Sequence, residues 1–386
     1  MNNKAPIIAL VAGEASGDQL GAALMSRLLE HVPEARFVGV GGAKMQAVGM
    51  EAWWDSKELA VMGLFEVLSH LPRLLEIRRE LRRRLLELQP DVYIGIDAPD
   101  FNLGLEIKLR RQGISTVHYV SPTVWAWRKR RVHKIAKAAD LVLCLFPFEP
   151  DFYHDHGVEA AYVGHPLADQ IQPDFNPAAA REKLGLDPNA TTVALLPGSR
   201  VSEVHRLAEP LLEAARILIA QRPGLQFAGA MASDAVHEEF RQSMDRYEFS
   251  DVALVDNDPR TVIAAADAVI CASGTATLET LLVNRPLVMT YKISAASYNF
   301  AKYSRLIRPQ LFSLPNILAG ERLIPEVIQE KATAENLARE INRWLDSDIS
   351  RENLKVRFLE IHEELQCDAS GRAAEAVAGL IHKGRG

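Results

Sequence analysis

Short apolar runs alternate with longer stretches of helical period along most of the chain. Parallel strands that are buried on both faces read as continuous Val/Ile/Leu-rich runs, so this alternation is typical of parallel sheets covered by helices. The pattern therefore predicts an α/β protein with two doubly wound domains. Strands are predicted in the first half at "IIALVAG", "RFVGVGG", "DVYIGID", "STVHYVS", "LVLCLF" and "AAYVGHP", and in the second half at "TTVALLPG", "LQFAGAM", "DVALVD", "DAVICASG" and "PLVMTY".

The two sets of strands are separated by residues 166–190, where prolines recur and no strand can be drawn. We therefore expect an N-terminal domain over 1–170 and a C-terminal domain over 171–350. The tail from about 351 reads as helical, and whether it packs back on the N-terminal domain is left open. Two doubly wound domains leave a cleft that the carboxyl ends of both sheets can face, and we expect the chemistry there.

The composition is that of a globular protein with enough apolar material for two cores, since 48% of the 386 residues are hydrophobic and 24% are charged. Cys144, Cys271 and Cys367 are far apart, which argues against a disulfide framework or a zinc site and favours a reducing cytoplasm. The first apolar run is too short for a signal peptide, and no run approaches the roughly 18 apolar residues of a membrane helix. A net charge of -6 gives no electrostatic reason to bind nucleic acid.

Two strand-to-helix junctions in the second half have the composition of anion sites. In "LLPGSR", Gly198 allows a tight turn, Ser199 opens the helix with its amide, and Arg200 adds a planar fork suited to phosphate oxygens. An ordinary turn with a surface arginine is the alternative for this motif alone. The neighbouring "ASGTATLE" strengthens the first interpretation, and together the two junctions suit a nucleotide diphosphate.

The "ASGTATLE" junction adds three helix-opening residues, Ser273, Gly274 and Thr275, and a carboxylate one turn into the helix. That carboxylate, Glu279, could accept both hydroxyls of a ribose. The alternative is an exposed residue stabilised by the helix dipole.

In the first half, "GIDAPDFN" places two acids at the end of an apolar strand. The carboxyl end of a strand in a doubly wound sheet opens into the cleft, so an acid there is placed for chemistry. Asp100 precedes a predicted helix and is expected to be its N-cap. Asp97 has no such task, since the residue before Pro99 is expected to be extended and the helix has not begun.

The glycine loops of the first half are less specific. "GVGGAKM" has Lys44 where a dinucleotide fingerprint needs its last glycine, so Gly39 to Gly42 are expected to be turn glycines that pack helix on sheet. In "GEASGD", Ser16, Gly17 and Asp18 are equally consistent with lining the cleft and with capping. The Asp-x-Asp spacing in "DNDPR" suits a divalent metal, but Asp258 followed by proline favours a helix N-cap.

A basic amphipathic segment covers residues 59–88. Its leucines recur at helical spacing, and its arginines outnumber its glutamates. Such a segment beside an apolar cluster favours attachment to an anionic membrane surface or an entrance for acyl chains, and the alternative is a core helix with a solvated arginine face. Trp125 and Trp127 beside four basic residues could hold a phosphorylated sugar, a lipid headgroup or RNA, RNA being the poorer fit to an acidic chain. The predicted membrane patch consists of Val61, Leu64, Phe65, Val67, Leu68 and Leu71.

Six motifs resemble, in order and across nearly the whole chain, those of the lipid-A-disaccharide synthase family: "VAGEASGD", "GIDAPDFN", "YVSPTVWAWR", "LPGSR", "ASGTATLE" and "SLPN". The resemblance implies a GT-B glycosyltransferase fold, with two Rossmann-like domains facing a central cleft. It implies an inverting transfer of 2,3-diacylglucosamine from UDP-2,3-diacylglucosamine to 2,3-diacylglucosamine 1-phosphate, which forms a β-1,6 linkage. It further implies no metal and no cofactor, and a peripheral position on phospholipid at the cytoplasmic face of the inner membrane. A homodimer is left open.

Under this resemblance Asp97 is expected to be the general base for the acceptor hydroxyl, alone or with a partner such as a histidine. Arg200 and the loop amides are expected to stabilise the departing UDP. Asn316, in "SLPN", is expected in the cleft on the resemblance alone. The motifs by themselves leave two other classes open, a UDP-sugar epimerase or hydrolase of similar fold and a non-catalytic nucleotide-binding membrane scaffold.

Overall fold

The computed structural model describes residues 5–59, 64–122, 131–173, 175–293 and 311–385, with the side chains of 64–70 and 384–385 outside that description. The chain divides into two compact units. The N-terminal unit comprises Met1–Asp169 together with Glu364–Gly386, and the C-terminal unit comprises Gln170–Glu363. None of the described helices is long and apolar enough to cross a bilayer.

The N-terminal unit contains a seven-stranded parallel sheet in the order β3-β2-β1-β4-β5-β6-β7. Its strands are β1 (Ile7–Ala12), β2 (Arg36–Val40), β3 (Glu51–Trp54), β4 (Val92–Ile96), β5 (Ser115–Tyr119), β6 (Leu141–Cys144) and β7 (Ala160–Tyr162). The helices up to the boundary are α1 (Ala15–His31), α2 (Ala43–Ala47), α3 (Leu64–Leu88), α4 (Pro99–Arg110), α5 (Val132–Ala138), α6 (Glu149–His154) and α7 (Pro166–Gln170).

The C-terminal unit contains a six-stranded parallel sheet in the order β10-β9-β8-β11-β12-β13. Its strands are β8 (Thr192–Leu196), β9 (Gln226–Met231), β10 (Val252–Asp256), β11 (Ala268–Ala272), β12 (Leu287–Tyr291) and β13 (Glu326–Ile328). The remaining helices are α8 (Pro177–Lys183), α9 (Val201–Gln221), α10 (Asp234–Arg246), α11 (Pro259–Ala265), α12 (Thr275–Leu282), α13 (Leu314–Ala319), α14 (Ala334–Asp346), α15 (Asp348–Leu365) and α16 (Ala369–Arg385).

Both sheets are doubly wound, which confirms the predicted fold class. In each sheet the first strand of the unit lies near the centre, and the chain then continues on its other side, through β1 and β4 in one unit and through β8 and β11 in the other. Ligands bind at such points of reversal, outside the carboxyl ends of the strands. The fold therefore directs attention to the residues that follow β1, β4, β8 and β11.

All eleven predicted strands are present, and the sequence pattern missed β3 and β13. Both missed strands are at the edge of a sheet and are only four and three residues long. An edge strand pairs on one side only and is partly exposed, so it lacks the continuous apolar run by which buried strands were recognised.

The core of the N-terminal unit follows the alternation of side chains along β1. Ile8 and Leu10 pack on one face with residues of α1 and α16, and Ile7, Ala9 and Val11 pack on the other with residues of α3 and α4. Gly39 shows why glycine is needed between strands, since its φ is 132° and an added Cβ would lie 2.2 Å from the carbonyl oxygen of Leu10. Gly39 therefore lies within β2 and is required by the neighbouring strand β1, so the prediction of a turn glycine that packs helix on sheet was wrong at this position.

Helix α16 returns the chain to the N-terminal unit, where it packs against α1. Its entry turn is held by Asp169, whose carboxylate accepts hydrogen bonds from the amides of Cys367, Asp368 and Ala369 at 3.1, 3.0 and 2.7 Å. A carboxylate at a helix amino end satisfies N–H groups that have no acceptor within the helix.

Candidate active site

The two junctions predicted from the second half of the sequence line one cavity in the C-terminal unit. The cavity has a volume of about 310 Å³ and contains residues from the ends of β8, β9 and β11 and from the first turns of α9 and α12. Gly198, Ser199 and Arg200 lie on one side, and Ser273, Gly274, Thr275 and Glu279 on the other. These seven residues, far apart in the sequence, are therefore brought together.

The junction from β8 to α9 is closed by a carboxylate that the sequence analysis missed. Gly198 has a φ of 121°, and a Cβ there would lie 2.7 Å from Oε2 of Glu203. This same oxygen accepts a hydrogen bond from the Ser199 amide at 3.2 Å, and Oε1 accepts one from Nη1 of Arg200 at 3.2 Å. Glu203 is buried, whereas 75% of the Arg200 side chain is exposed. An anion bound here would meet Arg200 and compete with Glu203 for both donors.

The junction from β11 to α12 leaves donors at the start of the helix. Gly274 is the N-cap, with a φ of 140° that a residue with a side chain rarely adopts. The Ser273 amide is used by the sheet, bonding Thr290 at 3.1 Å, so Ser273 offers its hydroxyl. Thr275 and Ala276 are the first helical residues, and their N–H groups have no acceptor within the helix.

Glu279 lies one turn into α12, with 18% of its side chain exposed. Burial raises the pKa of this carboxyl, and the nearby guanidinium of Arg260, with Nε 3.8 Å from Oε1, partly opposes the shift. Arg260 was not predicted as a site residue. Its position directly after Asp258-Pro259, at the start of α11, was the available signal.

In the N-terminal unit Asp97 directly follows β4 at the reversal of the sheet. Its backbone is fixed at both ends, since its N–H donates to Tyr119 O at 2.8 Å and its carbonyl accepts from Nδ2 of Asn102 at 2.8 Å. The residue is exposed, and its carboxylate has no hydrogen-bond or ion-pair partner among the described residues. Asp97 therefore presents an exposed carboxylate on a backbone that hydrogen bonds hold on both sides.

Two predictions about the same turn were wrong. Ala98, before Pro99, is left-handed (φ 43°, ψ 55°) and not extended, and it is the N-cap of α4 without a side-chain cap. Asp100 therefore lies inside the first helical turn and is not the N-cap. Its side chain is 83% exposed and pairs with Nη2 of Arg131 at 3.0 Å. The two left-handed residues reverse the chain early enough for the helix to begin at the proline.

Asp18, in the "GEASGD" loop of the first half, has a capping role. Its buried carboxylate accepts hydrogen bonds from the amides of Gly42, Lys44 and Met45 at 2.7, 3.0 and 3.1 Å, around the amino end of α2. Gly17 is buried beside β1, where an added Cβ would lie 3.4 Å from Cβ of Ala12, and Ser16 is exposed in the first turn of α1. Of these three residues, Ser16 alone presents a side chain to solvent.

Asn316 is placed differently from the expectation. It is fully buried, its Oδ1 accepts from the amides of Leu323 and Ile324 at 2.9 Å each, and its Nδ2 donates to Ile324 O and Glu326 Oε1. All of its hydrogen-bonding capacity is used to join α13 to the turn before β13. The cleft role is therefore corrected to a structural one.

Asp258 is the N-cap of α11, as predicted, accepting from the Thr261 amide at 3.1 Å with Pro259 at the first helical position. The other acid of the Asp-x-Asp pair, Asp256, contacts Nδ1 of His237 at 2.6 Å. No group of three His, Cys, Asp or Glu side chains converges as metal ligands within the described ranges. The motif thus acts as a helix start.

The sequence model of a family described as lipid-A-disaccharide synthetase matches residues 8–378. The chain belongs to the lipid-A-disaccharide synthase family. A lipid-A-disaccharide synthase of Xanthomonas axonopodis pv. citri is 48% identical over 98% of this chain and 87% of its own length. Another, of Pseudomonas aeruginosa, is 49% identical over 97% of this chain and 98% of its own. Membership makes the chain an enzyme, a glycosyltransferase of lipid A biosynthesis.

Solved structures agree on the fold at much lower identity. A putative UDP-N-acetylglucosamine 2-epimerase of Listeria monocytogenes has a TM-score of 0.64 at 14% identity, with 97% of this chain and 95% of that one covered. The UDP-GlcNAc 2-epimerase of Neisseria meningitidis, solved with UDP-GlcNAc, has a TM-score of 0.59 at 11% identity, with 98% and 100% covered. A glycosyltransferase of Rickettsia africae has a TM-score of 0.59 at 13% identity, with 99% of each covered. They support the GT-B fold predicted for this family.

The burial of Glu279 predicts a pH-dependent stability effect. A carboxyl whose pKa is raised by folding loses stabilising free energy as the pH rises through that pKa, since the charged form is better solvated in the unfolded chain. Glu279→Gln should therefore raise Tm above neutral pH, on the order of a few degrees. The difference should vanish below the ordinary glutamate pKa of 4.5. Thermal unfolding between pH 4 and 8 measures it, and an equal shift at all pH values would contradict the argument.

Proposed function

We propose that the chain transfers 2,3-diacylglucosamine from UDP-2,3-diacylglucosamine to the 6-hydroxyl of 2,3-diacylglucosamine 1-phosphate, with inversion, releasing UDP. The observation that carries the proposal is the single cavity lined by both strand-to-helix junctions, in a member of the lipid-A-disaccharide synthase family. Two helix amino ends, an exposed guanidinium and a ribose-accepting carboxylate match a nucleoside diphosphate in charge and in hydrogen bonding.

The donor binds with its diphosphate between Arg200 and the amino end of α12. Arg200 exchanges the Glu203 carboxylate for phosphate oxygens, and the amides of Ser199 and Thr275 donate to the same group. Glu279 accepts the two ribose hydroxyls, for which it must be charged. Arg260, 3.8 Å from it, favours that charged form.

Asp97 accepts the proton of the attacking hydroxyl. An inverting transfer needs one base on the acceptor side and no acid, because UDP leaves as a stable anion. Asp18 and Glu203, in the first turns of α1 and α9, accept hydrogen bonds from backbone amides, whereas the Asp97 carboxylate is exposed without a partner in the described part of the chain. That availability is what a general base requires.

The test is UDP release with purified substrates. Release should require both UDP-2,3-diacylglucosamine and 2,3-diacylglucosamine 1-phosphate, and Asp97→Asn should lower kcat by about 100 to 10,000-fold because the base is lost. UDP affinity, measured by calorimetry, should be unchanged. Release without the acceptor would instead indicate an epimerase or hydrolase.

Asp100→Asn is the matched control, since it removes a carboxylate from the same turn. Asp100 is exposed and, among the described residues, is paired with Arg131, and exposed ion pairs contribute little to stability. Its activity should stay within a few-fold of wild type. The reverse ranking of the two variants would make Asp100 the base.

For the leaving group, Arg200→Ala should lower kcat by about 100 to 1,000-fold, the cost of removing one partner of a developing negative charge. Arg216→Ala is a suitable control, because Arg216 lies on α9, the helix that Arg200 precedes, pairs with Glu213 and lies outside the lining of the cavity. Steady-state kinetics compare the two variants, and turnover of Arg200→Ala near that of Arg216→Ala would refute the role.

Peripheral membrane binding is proposed for the N-terminal unit. Helix α3 and helix α4 form a groove of about 180 Å³ lined by Arg78, Arg79, Arg82 and Lys108, beside Leu75, and no acid is among the described residues that line it. By contrast, Arg73 and Arg83 of the same helix each pair with two glutamates.

Apolar side chains continue this surface. Leu71 and Leu75 are 42% and 41% exposed, an unusual position for leucine on an otherwise charged helix. Val61 and the side chains of Leu64, Phe65, Val67 and Leu68 lie outside the described residues, so that part of the membrane patch stays a prediction.

The groove predicts a position-specific effect of arginine removal. Arg78→Gln with Arg82→Gln should lower partitioning onto vesicles of phosphatidylglycerol and phosphatidylethanolamine by roughly 30-fold, since each basic residue near an anionic surface contributes about 1 kcal/mol. Arg73→Gln with Arg83→Gln removes the same net charge from the same helix and should lose much less. Vesicle sedimentation at fixed ionic strength measures both, and equal losses would mean that only net charge matters.

A further inference from the structure

The turn that carries Asp97 is held in an unfavourable backbone conformation. Asp97 and Ala98 are consecutive residues with positive φ, 50° and 43°, and neither is glycine. A residue with a Cβ rarely adopts this region, and a residue before proline favours an extended backbone. Such a turn persists only if the surrounding structure holds it there.

Asn102 is the side chain that holds it. It lies in the first turn of α4, fully buried, and its Nδ2 donates to the carbonyl of Asp97 at 2.8 Å. The same nitrogen is 3.5 Å from the carbonyl oxygens of Val11 and Ile96, so it faces the ends of β1 and β4 together. The other anchor, from the Asp97 amide to Tyr119, is a backbone contact.

Tyr93 orients the side-chain amide of Asn102. Its hydroxyl donates to Oδ1 of Asn102 at 2.8 Å, so the opposite edge of the amide, the Nδ2 group, is directed at Asp97. Tyr93 is fully buried, and burial holds the pKa of its hydroxyl well above the usual value, which keeps the proton available for donation.

Packing restricts Asn102 further. Gly95 leaves no room for a side chain, since a Cβ there would lie 2.8 Å from Cβ of Asn102 and 2.3 Å from Oε1 of Glu106. That glutamate is fully buried and bonds Nδ1 of His118 at 2.8 Å. Asn102 is therefore confined between the strand backbone, Tyr93 and a buried polar pair.

We propose that Asn102, oriented by Tyr93, is a positioning residue that holds the left-handed Asp97–Ala98 turn and so places the Asp97 carboxylate for proton abstraction. The proposal rests on the proposed function of Asp97. If Asn102 only completed the hydrogen bonds of the backbone at the strand end, its removal would lower stability but would not act on kcat through Asp97. A positioning residue does act on kcat in this way.

The test is a double-mutant cycle in the UDP-release assay. Asn102→Ala should lower kcat by about 10 to 100-fold with little change in the KM of the donor, because small displacements of a reacting group cost about that much. Placed in the Asp97→Asn background, Asn102→Ala should cost less than about 3-fold, since a residue that acts through Asp97 has nothing left to position. An undiminished loss in that background would overturn the proposal.

Thr116→Val controls for a general loss of stability. Thr116 is equally buried, lies near the amino end of the adjacent β5, three residues before Tyr119, and its hydroxyl donates to Ala138 O at 2.7 Å and not to Tyr93 or Asn102. It should lower Tm without lowering kcat. If Asn102→Ala fails to fold, Tyr93→Phe takes its place, with an expected loss in kcat of about fivefold, typical of one lost neutral hydrogen bond.

The outcomes separate this proposal from the proposed function. Full activity of Asp97→Asn would overturn the assignment of the base and the positioning role with it. Loss of activity in Asp97→Asn, with Asn102→Ala and Tyr93→Phe both within 2-fold of wild type in kcat, would overturn the positioning role alone.

Discussion

The parallel pairing of β8 with β11 is the constraint on which the donor site depends. Ala268–Cys271 pair in register with Val193–Leu196, so both strands end at the same edge of the sheet. Each strand then passes through a glycine with positive φ into a helix. The amino ends of two helices are thereby directed at one cavity, and their partial positive charges add where a diphosphate would lie.

Residues that take part in the proposed reaction reduce stability where they lie, in each unit separately. Asp97 and Ala98 occupy a disfavoured backbone region, and Glu279 is a carboxylate whose ionisation is opposed by burial. Neither arrangement would be selected for folding alone, since glycine at position 98 or glutamine at position 279 would relieve it. The two sheets offset this loss of stability, because the strands that precede these positions, β4 and β11, are buried along their whole length.

Sequence reasoning predicted the architecture and the two junctions that line one cavity because both depend on local pattern. Buried parallel strands read as apolar runs, and the two glycine-containing junctions follow them directly, so strand order alone places the junctions together. The predicted cap at Asp258 rested on an equally local signal, proline at the next position.

The errors concern positions whose backbone conformation or side-chain contacts residue type alone does not indicate. Asp100 was taken for a cap because Ala98 could not be recognised as left-handed from its identity. Asn316 was expected in the cleft, yet its partners are amides of a turn that no motif identifies. Arg260 and Glu203 were missed because their contacts, with the Glu279 carboxylate and with the Ser199 amide, depend on the geometry of the folded helix starts.

The acids at the strand ends differ in what already binds them, and this decides what each can do. Asp18 is enclosed by three backbone amides and buried, so its charge is committed to holding α2. Glu203 is bound by one amide and one exposed arginine, both of which a doubly charged diphosphate can attract more strongly than a single carboxylate does. Asp97 has its backbone fixed and its carboxylate exposed. A carboxylate can thus serve as a structural cap, and in the proposed function as an exchangeable occupant of an anion site or as a base, according to how many donors the fold has placed around it.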